Sequence, residues 1–156
     1  MSLNLRLSAA LVVVFILSIL PLPDLIMGFR PPFILLLVLY IQFFLPQYFN
    51  ITVLFLIGLC LDVLLSTVIG EHAFALLMTT WFAAGKIRRF MFFSMIQQMM
   101  LILTCCLIYQ WIIFLVDAFL GYHQSPWMLA VPPLLGMMCW PWVRILVDST
   151  LRRKVS

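Results

Sequence analysis

An aspartate, a glutamate and a histidine interrupt an otherwise apolar segment, "IGLCLDVLLSTVIGEHAFAL" at residues 57–76. Asp62 lies near its middle, and Glu71 and His72 lie near its end. A carboxylate in apolar surroundings can carry a proton or a cation, or it can accept hydrogen bonds that fix helix packing. A histidine beside an acid can sense pH or bind a metal, or it can cap a helix end. We favour the packing and capping interpretations, because Asp62 stands alone within its apolar run.

The composition indicates which medium surrounds these side chains. Hydrophobic residues make up 66% of the chain, charged residues make up 9%, and the mean hydropathy is +1.22. An ordinary soluble domain is about 25% charged. A soluble protein of 156 residues could not cover its core with so few charges, so the chain is predicted to be an integral membrane protein.

Six apolar segments predict membrane-spanning helices, at about residues 7–27, 31–48, 51–69, 72–86, 95–120 and 127–148. A closed barrel would show alternating strands of about ten residues instead. No small-x-small cleavage site follows the first segment, which is therefore predicted to be an uncleaved span. All connecting segments are short and no internal repeat is visible. Residues 1–156 are therefore predicted to form a single all-α polytopic transmembrane domain.

The basic residues predict how these spans are oriented. With six spans, one side of the membrane holds Arg6, Lys86, Arg88, Arg89, Arg152, Arg153 and Lys154. The opposite side holds Arg30. Because positive residues accumulate on the cytoplasmic side, both termini are expected in the cytoplasm. The outer-face interaction candidates are then Asp24, Arg30, Pro31, Glu71 and His72.

A spacing of four residues relates Gly58, Asp62, Ser66 and Gly70. On a helix this spacing places them along one stripe, where small residues allow another helix to approach closely. The stripe is predicted to be the buried face of the third span, and Gly70 favours a turn into the fourth. The partners of Asp62 are expected among polar groups of other spans, with four glutamines as equal candidates: Gln42, Gln97, Gln98 and Gln110.

Residue types and spacing argue against nucleic-acid binding, metal binding and catalysis. The nine Lys and Arg residues form short groups between apolar segments rather than one basic face. Cys60, Cys105, Cys106 and Cys139 lie in apolar runs without a CxxC pair or a Cys/His ligand spacing. There is no nucleophile–base pair, glycine-rich phosphate loop or metalloprotease motif. The chain is predicted not to be an enzyme and to hold no cofactor.

Three segments together resemble the MreD family, the small membrane subunit of the bacterial rod-shape (elongasome) machinery. "LPLPDLIMGFRPPFILLLVLYIQFFLPQ" resembles its first hairpin, and "WPWV" before a basic tail is similar to its last span. "GLCLDVLLSTVIGEHAFAL" resembles its central signature, with matching positions Gly58, Asp62, Gly70, Ala73 and Leu76. The chain departs from that pattern at Ser66, where the family often has glycine.

The resemblance implies a non-enzymatic inner-membrane scaffold that binds MreC. It would help to couple cytoplasmic MreB to wall synthesis by RodA and a class B penicillin-binding protein. The implied fold is similar to the substrate-binding subunits of energy-coupling-factor vitamin transporters. Two alternatives stay open: a small-molecule-binding or transport subunit, motivated by Asp62, His72 and that fold, and a binder of lipid or polyprenyl-linked intermediates.

Overall fold

The structure is a computed structural model, and it describes residues 3–20 and 31–151. In these ranges the regular structure is helical. The α-helices are α1 (Leu3–Ile19), α2 (Phe33–Phe44), α3 (Ile51–Leu64), α4 (Glu71–Ala84), α5 (Ile87–Phe90), α6 (Met95–Phe119) and α7 (Trp127–Leu151). A single 3-10 turn, Pro46–Tyr48, connects α2 to α3.

Two of these helices, α6 and α7, are long and apolar enough to cross a membrane. Each has 25 residues, which corresponds to about 37 Å at 1.5 Å per residue. The hydrocarbon core of a bilayer is about 30 Å thick. The apolar helices α1, α2 and α3 are shorter, so the chain has the helices of a membrane protein while the count of six spans stays a prediction.

The second and third apolar segments form shorter helices than we predicted. Helix α2 ends at Phe44, because Pro46 opens the 3-10 turn instead of continuing the helix. Helix α3 ends at Leu64 and not near residue 69. Of the first predicted segment, residues 21–27 lie outside the described residues.

Local sequence signals fix several helix starts. The side chain of Asn50 accepts a hydrogen bond from the backbone N–H of Thr52 at 3.0 Å, which caps α3. Ser94 and Gln97 form a capping box at the start of α6, in which each side chain binds the other residue's backbone N–H.

Helix α7 contains Pro132, Pro133 and Pro141 and yet continues through them.

Helix α2 forms the centre of the bundle, and ten of its residues are buried. An aromatic cluster surrounds one of its ends. Phe43 stacks on Phe90 with ring centroids 3.9 Å apart, and Trp140 packs edge-on against Phe90 at 6.0 Å. The outer surface is apolar, with large side chains such as Trp81, Phe92 and Trp127 exposed. Such a surface is suited to contact with lipid.

The basic residues described by the structure share one end of the bundle. Arg144 lies there over the ring of Phe44, 5.4 Å from its centroid, and Phe44 contacts Phe90 beside the cluster at 86–89. Arg6 donates to the backbone carbonyl of Thr150 near the end of α7, at 3.0 Å. Met95, the first residue of α6, lies beside Arg144 at this basic end. Asp117 is 22 residues further along α6, which corresponds to about 33 Å. Asp117 therefore lies at the opposite end of the bundle, which we call the acidic end.

The remaining basic residues of the orientation argument lie outside the described ranges. These are Arg30, Arg152, Arg153 and Lys154. The side of the membrane on which the basic end lies therefore stays a prediction.

Candidate functional site

The carboxylate of Asp62 organises the connection between α3 and α4. Asp62 is fully buried at 0% exposure. Its Oδ2 accepts from the backbone N–H of Gly70 at 2.8 Å, and its Oδ1 accepts from the backbone N–H of His72 at 2.9 Å. The Oδ1 also lies 3.3 Å from the hydroxyl of Thr67, which donates to it. Asp62 therefore caps α4 from the preceding helix, since Gly70 has no side chain for that role.

The imidazole of His72 completes this arrangement. Its Nδ1 lies 2.8 Å from the Oδ1 of Asp62. Because a carboxylate oxygen only accepts hydrogen bonds, the Nδ1 carries the hydrogen. The ring of His72 also lies edge-on to Tyr109 of α6, with centroids 6.2 Å apart. A side-chain pair inside the α3–α4 turn therefore contacts a third helix.

Helix α3 ends in a Schellman motif that involves Asp62 through its backbone. The N–H of Thr67 donates to the carbonyl of Asp62 at 3.0 Å, and the N–H of Ser66 donates to the carbonyl of Val63 at 3.3 Å. Ser66 takes the left-handed position that this motif requires, with φ 53°. Glycine is the usual residue there, because a Cβ atom makes this conformation costly.

Gly70 has a different role from the one we predicted. We expected it just past the end of the third span, but it precedes α4 and has φ 98°. The N–H of Glu71 donates to the carbonyl of Val68 at 3.1 Å, which closes a tight turn. A positive φ at the third residue is a feature of type II turns and favours glycine. The predicted turn at 68–72 is present, and Gly70 makes it possible.

Close packing between α3 and α4 occurs at Gly58. A Cβ atom on Gly58 would lie 2.4 Å from the Cα of Ala73 and 2.8 Å from its backbone nitrogen. Ala73 and Leu76 are fully buried on the facing side of α4. Asp62 lies one turn after Gly58 on the same helix face, so the contact of α3 with α4 brings the carboxylate to the start of α4.

The predicted stripe is therefore shorter than the residue spacing suggested. Gly58 and Asp62 belong to α3, whereas Ser66 and Gly70 lie beyond its end at Leu64. Ser66 is exposed. The interpretation that all four residues form one helix-packing face is corrected to two, because the Schellman motif turns the chain away before Ser66.

The expected partners of Asp62 were also wrong. In the described part of the chain, its carboxylate bonds residues of its own turn and not a glutamine of another helix. Gln42 donates to the carbonyl of Thr80 at 2.8 Å, and Gln98 accepts from Arg144 at 2.8 Å. The other two glutamines are placed elsewhere: Gln97 in the α6 capping box and Gln110 at a small cavity.

A polar cleft of ≈ 710 Å³ opens beside this turn, between residues 65–72 and the end of α6 with its following loop. Glu71 is 4% exposed and Asp117 is 9% exposed, and both line the cleft. Gln124 donates a hydrogen bond to the carboxylate of Asp117. Asp117 was not predicted as a site residue from the sequence. The available signal was an aspartate in the last turn of an apolar helix.

A second cavity of ≈ 180 Å³ is also lined by His72. Pro31, an outer-face candidate, lines this cavity together with Tyr109 and Gln110. His72 therefore lines both this cavity and the cleft. Asp24 and Arg30, the remaining outer-face candidates, lie outside the described residues.

At the basic end, a polar network joins three helices. Arg144 of α7 lies 4.0 Å from Asp148 and binds Gln98 of α6. The hydroxyl of Tyr40 in α2 donates to Asp148. Arg144 and Asp148 therefore connect α7 to α2 and α6, in addition to their contact within α7.

Two comparisons place this arrangement among known proteins. A family model described as "rod shape-determining protein MreD" matches residues 2–150. The rod shape-determining protein MreD of Haemophilus influenzae is 28% identical over 145 residues, which cover 93% of this chain and 89% of that protein. No solved structure matches the chain significantly.

Proposed function

Because this chain belongs to the MreD family of rod shape-determining proteins, we propose that it is a non-enzymatic scaffold of the cell-elongation machinery. The observation that carries the proposal is the length of the match, since the family model covers residues 2–150. The proposed role therefore belongs to the helical chain as a whole.

The proposed partner is MreC, bound directly through the helices and the outer loops. Through MreC, the scaffold helps to couple cytoplasmic MreB to RodA and a class B penicillin-binding protein, by direct or indirect contacts. Two features of the described residues support an interaction role. The connections between helices are short, and the polar atoms of Asp62 are used to hold the α3–α4 turn.

The proposed location is the bacterial inner membrane, with six spans and both termini in the cytoplasm. The placement of the described basic residues at one end of the bundle supports this orientation, because positive residues accumulate on the cytoplasmic side. The cleft at Glu71 and Asp117 then faces outward, towards wall synthesis. We further propose a fold similar to that of vitamin-transporter substrate-binding subunits.

Depletion of the protein in the rod-shaped bacterium that encodes it tests this function. We expect the depleted cells to become round, and a plasmid copy to restore rods. MreC should be retained with the affinity-tagged protein extracted in mild detergent. Rods that persist after complete depletion would refute the proposed function, and retention of no MreC would refute the proposed partner.

A further inference from the structure

Glu71 is a buried carboxylate without a partner of its own. It is 4% exposed, and no hydrogen bond or ion pair reaches its side chain from residues 3–20 or 31–151. Its backbone N–H is used in the turn with Val68. Burial raises the pKa of the Glu71 carboxyl to about 7. In its charged form the group is stabilised by a cation or by hydrogen-bond donors.

The other charged groups at the cleft do not supply that cation. Asp117 adds a second carboxylate, which is bound by the neutral amide of Gln124. The ring of His72 is engaged by Asp62. His123 lines the cleft and is exposed. The described Lys and Arg side chains lie at the opposite end of the bundle, as shown above for Arg6, Arg144 and the cluster at 86–89.

We propose that this cleft receives a lysine or arginine side chain from a protein partner. The inference rests on the proposed scaffold function and identifies the chemistry by which the scaffold recognises its partner there. Glu71 and Asp117 belong to different helices, α4 and α6, so a cation between them is held from two sides. The α3–α4 turn and the loop after α6 form the walls of the cleft. A partner therefore reaches it at the end of the bundle.

Co-purification of MreC with matched variants tests the charge requirement. Glu71→Gln removes one negative charge from the cleft, and Asp148→Asn removes one at the basic end. Loss of one partner of a desolvated charge pair weakens binding about tenfold or more. We expect Glu71→Gln to lower MreC retention by that factor and Asp148→Asn to leave it near the wild-type level. Elution volume on size exclusion verifies that both variants are folded.

Equal retention by wild type and Glu71→Gln would overturn the inference while leaving the scaffold function intact. So would a small organic cation that native mass spectrometry finds bound to the purified protein and that Glu71→Gln removes. In either case the wild-type protein still retains MreC and depletion still rounds the cells. Failure of the inference is thereby separated from failure of the proposed function.

Photo-crosslinking in cells tests the site without assuming which protein binds. A photoreactive amino acid replaces His123 at the cleft rim, and the crosslinked peptide is mapped by mass spectrometry. We expect a peptide with a lysine or arginine whose reversal to glutamate weakens binding and is rescued by Glu71→Lys. Crosslinks confined to lipid or to residues 21–30 of the same chain, or a failed rescue, would overturn it.

Discussion

The carboxylate of Asp62 is stabilised by the backbone of the helix that follows it. Two N–H groups at the start of α4 point at its oxygens, and the positive end of the helix dipole favours a negative charge there. The ring of His72 provides a further donor. A buried aspartate in these surroundings has its hydrogen-bonding needs met inside one turn. These contacts are those of a structural cap.

Asp62→Asn should lower the free energy of unfolding by about 1–3 kcal/mol, because it leaves the part-buried backbone N–H of Gly70 without its acceptor. The single amide oxygen can still accept from His72, but the amide nitrogen cannot accept from Gly70. Asp62→Leu loses both acceptors and should be less stable still. Thermal unfolding of the purified variants in detergent, followed by circular dichroism, measures the order. A leucine variant as stable as the asparagine variant would contradict the capping role.

Ser66→Gly should raise the free energy of unfolding by about 0.5–1 kcal/mol. The gain comes from removal of a Cβ atom at φ 53°, and it is partly offset by the greater freedom of glycine in the unfolded chain. Ser66→Ala is the matched control, because it keeps the Cβ atom and should give no gain. The same unfolding measurement applies. Equal stability of the glycine and alanine variants would show that the left-handed backbone at this position costs little.

At these positions the sequence predicted burial better than it predicted partners. An acidic residue in an apolar run is expected to face protein rather than lipid. Asp62 was therefore correctly predicted to be buried. Its partners depend on where α3 ends, and residues 65–69 carry no glycine or proline to signal that end. A serine in the left-handed conformation is too uncommon to be inferred from sequence. The periodicity was therefore extended past the end of α3, to Ser66 and Gly70.

At the scale of elements, the contact between α3 and α4 depends on backbone proximity. With no side chain at Gly58, the two helices approach until Ala73 fills the space. Small residues allow such an approach. In lipid, helices associate through van der Waals packing, because the hydrophobic effect does not drive them together there. The same approach brings Asp62 within reach of the α4 backbone. The close packing and the cap are therefore parts of one structure.

Gly58→Ala should destabilise the protein by about 1–3 kcal/mol, because overpacking forces the two helices apart. The added Cβ meets backbone atoms of Ala73, so adding Ala73→Gly should not restore stability. Gly85→Ala is the control, since its nearest neighbour would be a carbonyl oxygen at 3.8 Å. Thermal unfolding compares the variants. Recovery in the Gly58→Ala, Ala73→Gly double variant would show that the contact is made by side chains alone.

Helix positions were predictable where apolar length was decisive, and helix ends were less so. Segments 95–120 and 127–148 correspond to α6 and α7 because long apolar runs with few charges favour helices in lipid. The predicted end of the second segment, at residue 48, passed over Pro46. Proline cannot continue the hydrogen-bond ladder, and the chain forms a 3-10 turn there. Hydropathy alone does not register such local breaks.

In the whole molecule, basic and acidic residues lie at opposite ends of the bundle. The sequence predicted the basic end but not the acidic one. The basic residues are grouped along the chain, so their common location follows from the order of the segments. Glu71 and Asp117 are far apart in sequence and meet because α4 packs against α6. An acidic cleft that depends on tertiary packing leaves no local pattern. Asp117 was missed for that reason.

The two ends should lie on opposite sides of the membrane, with the basic end inside. Ser125→Cys places a thiol in the loop next to the acidic cleft, and Gly85→Cys places one beside the basic cluster at 86–89. In intact cells, a membrane-impermeant maleimide should label Ser125→Cys, and it should label Gly85→Cys only after lysis. The wild-type protein is the control for its four native cysteines. The reverse pattern would place the cleft in the cytoplasm, where a partner's basic side chain would have to reach it from the side of MreB.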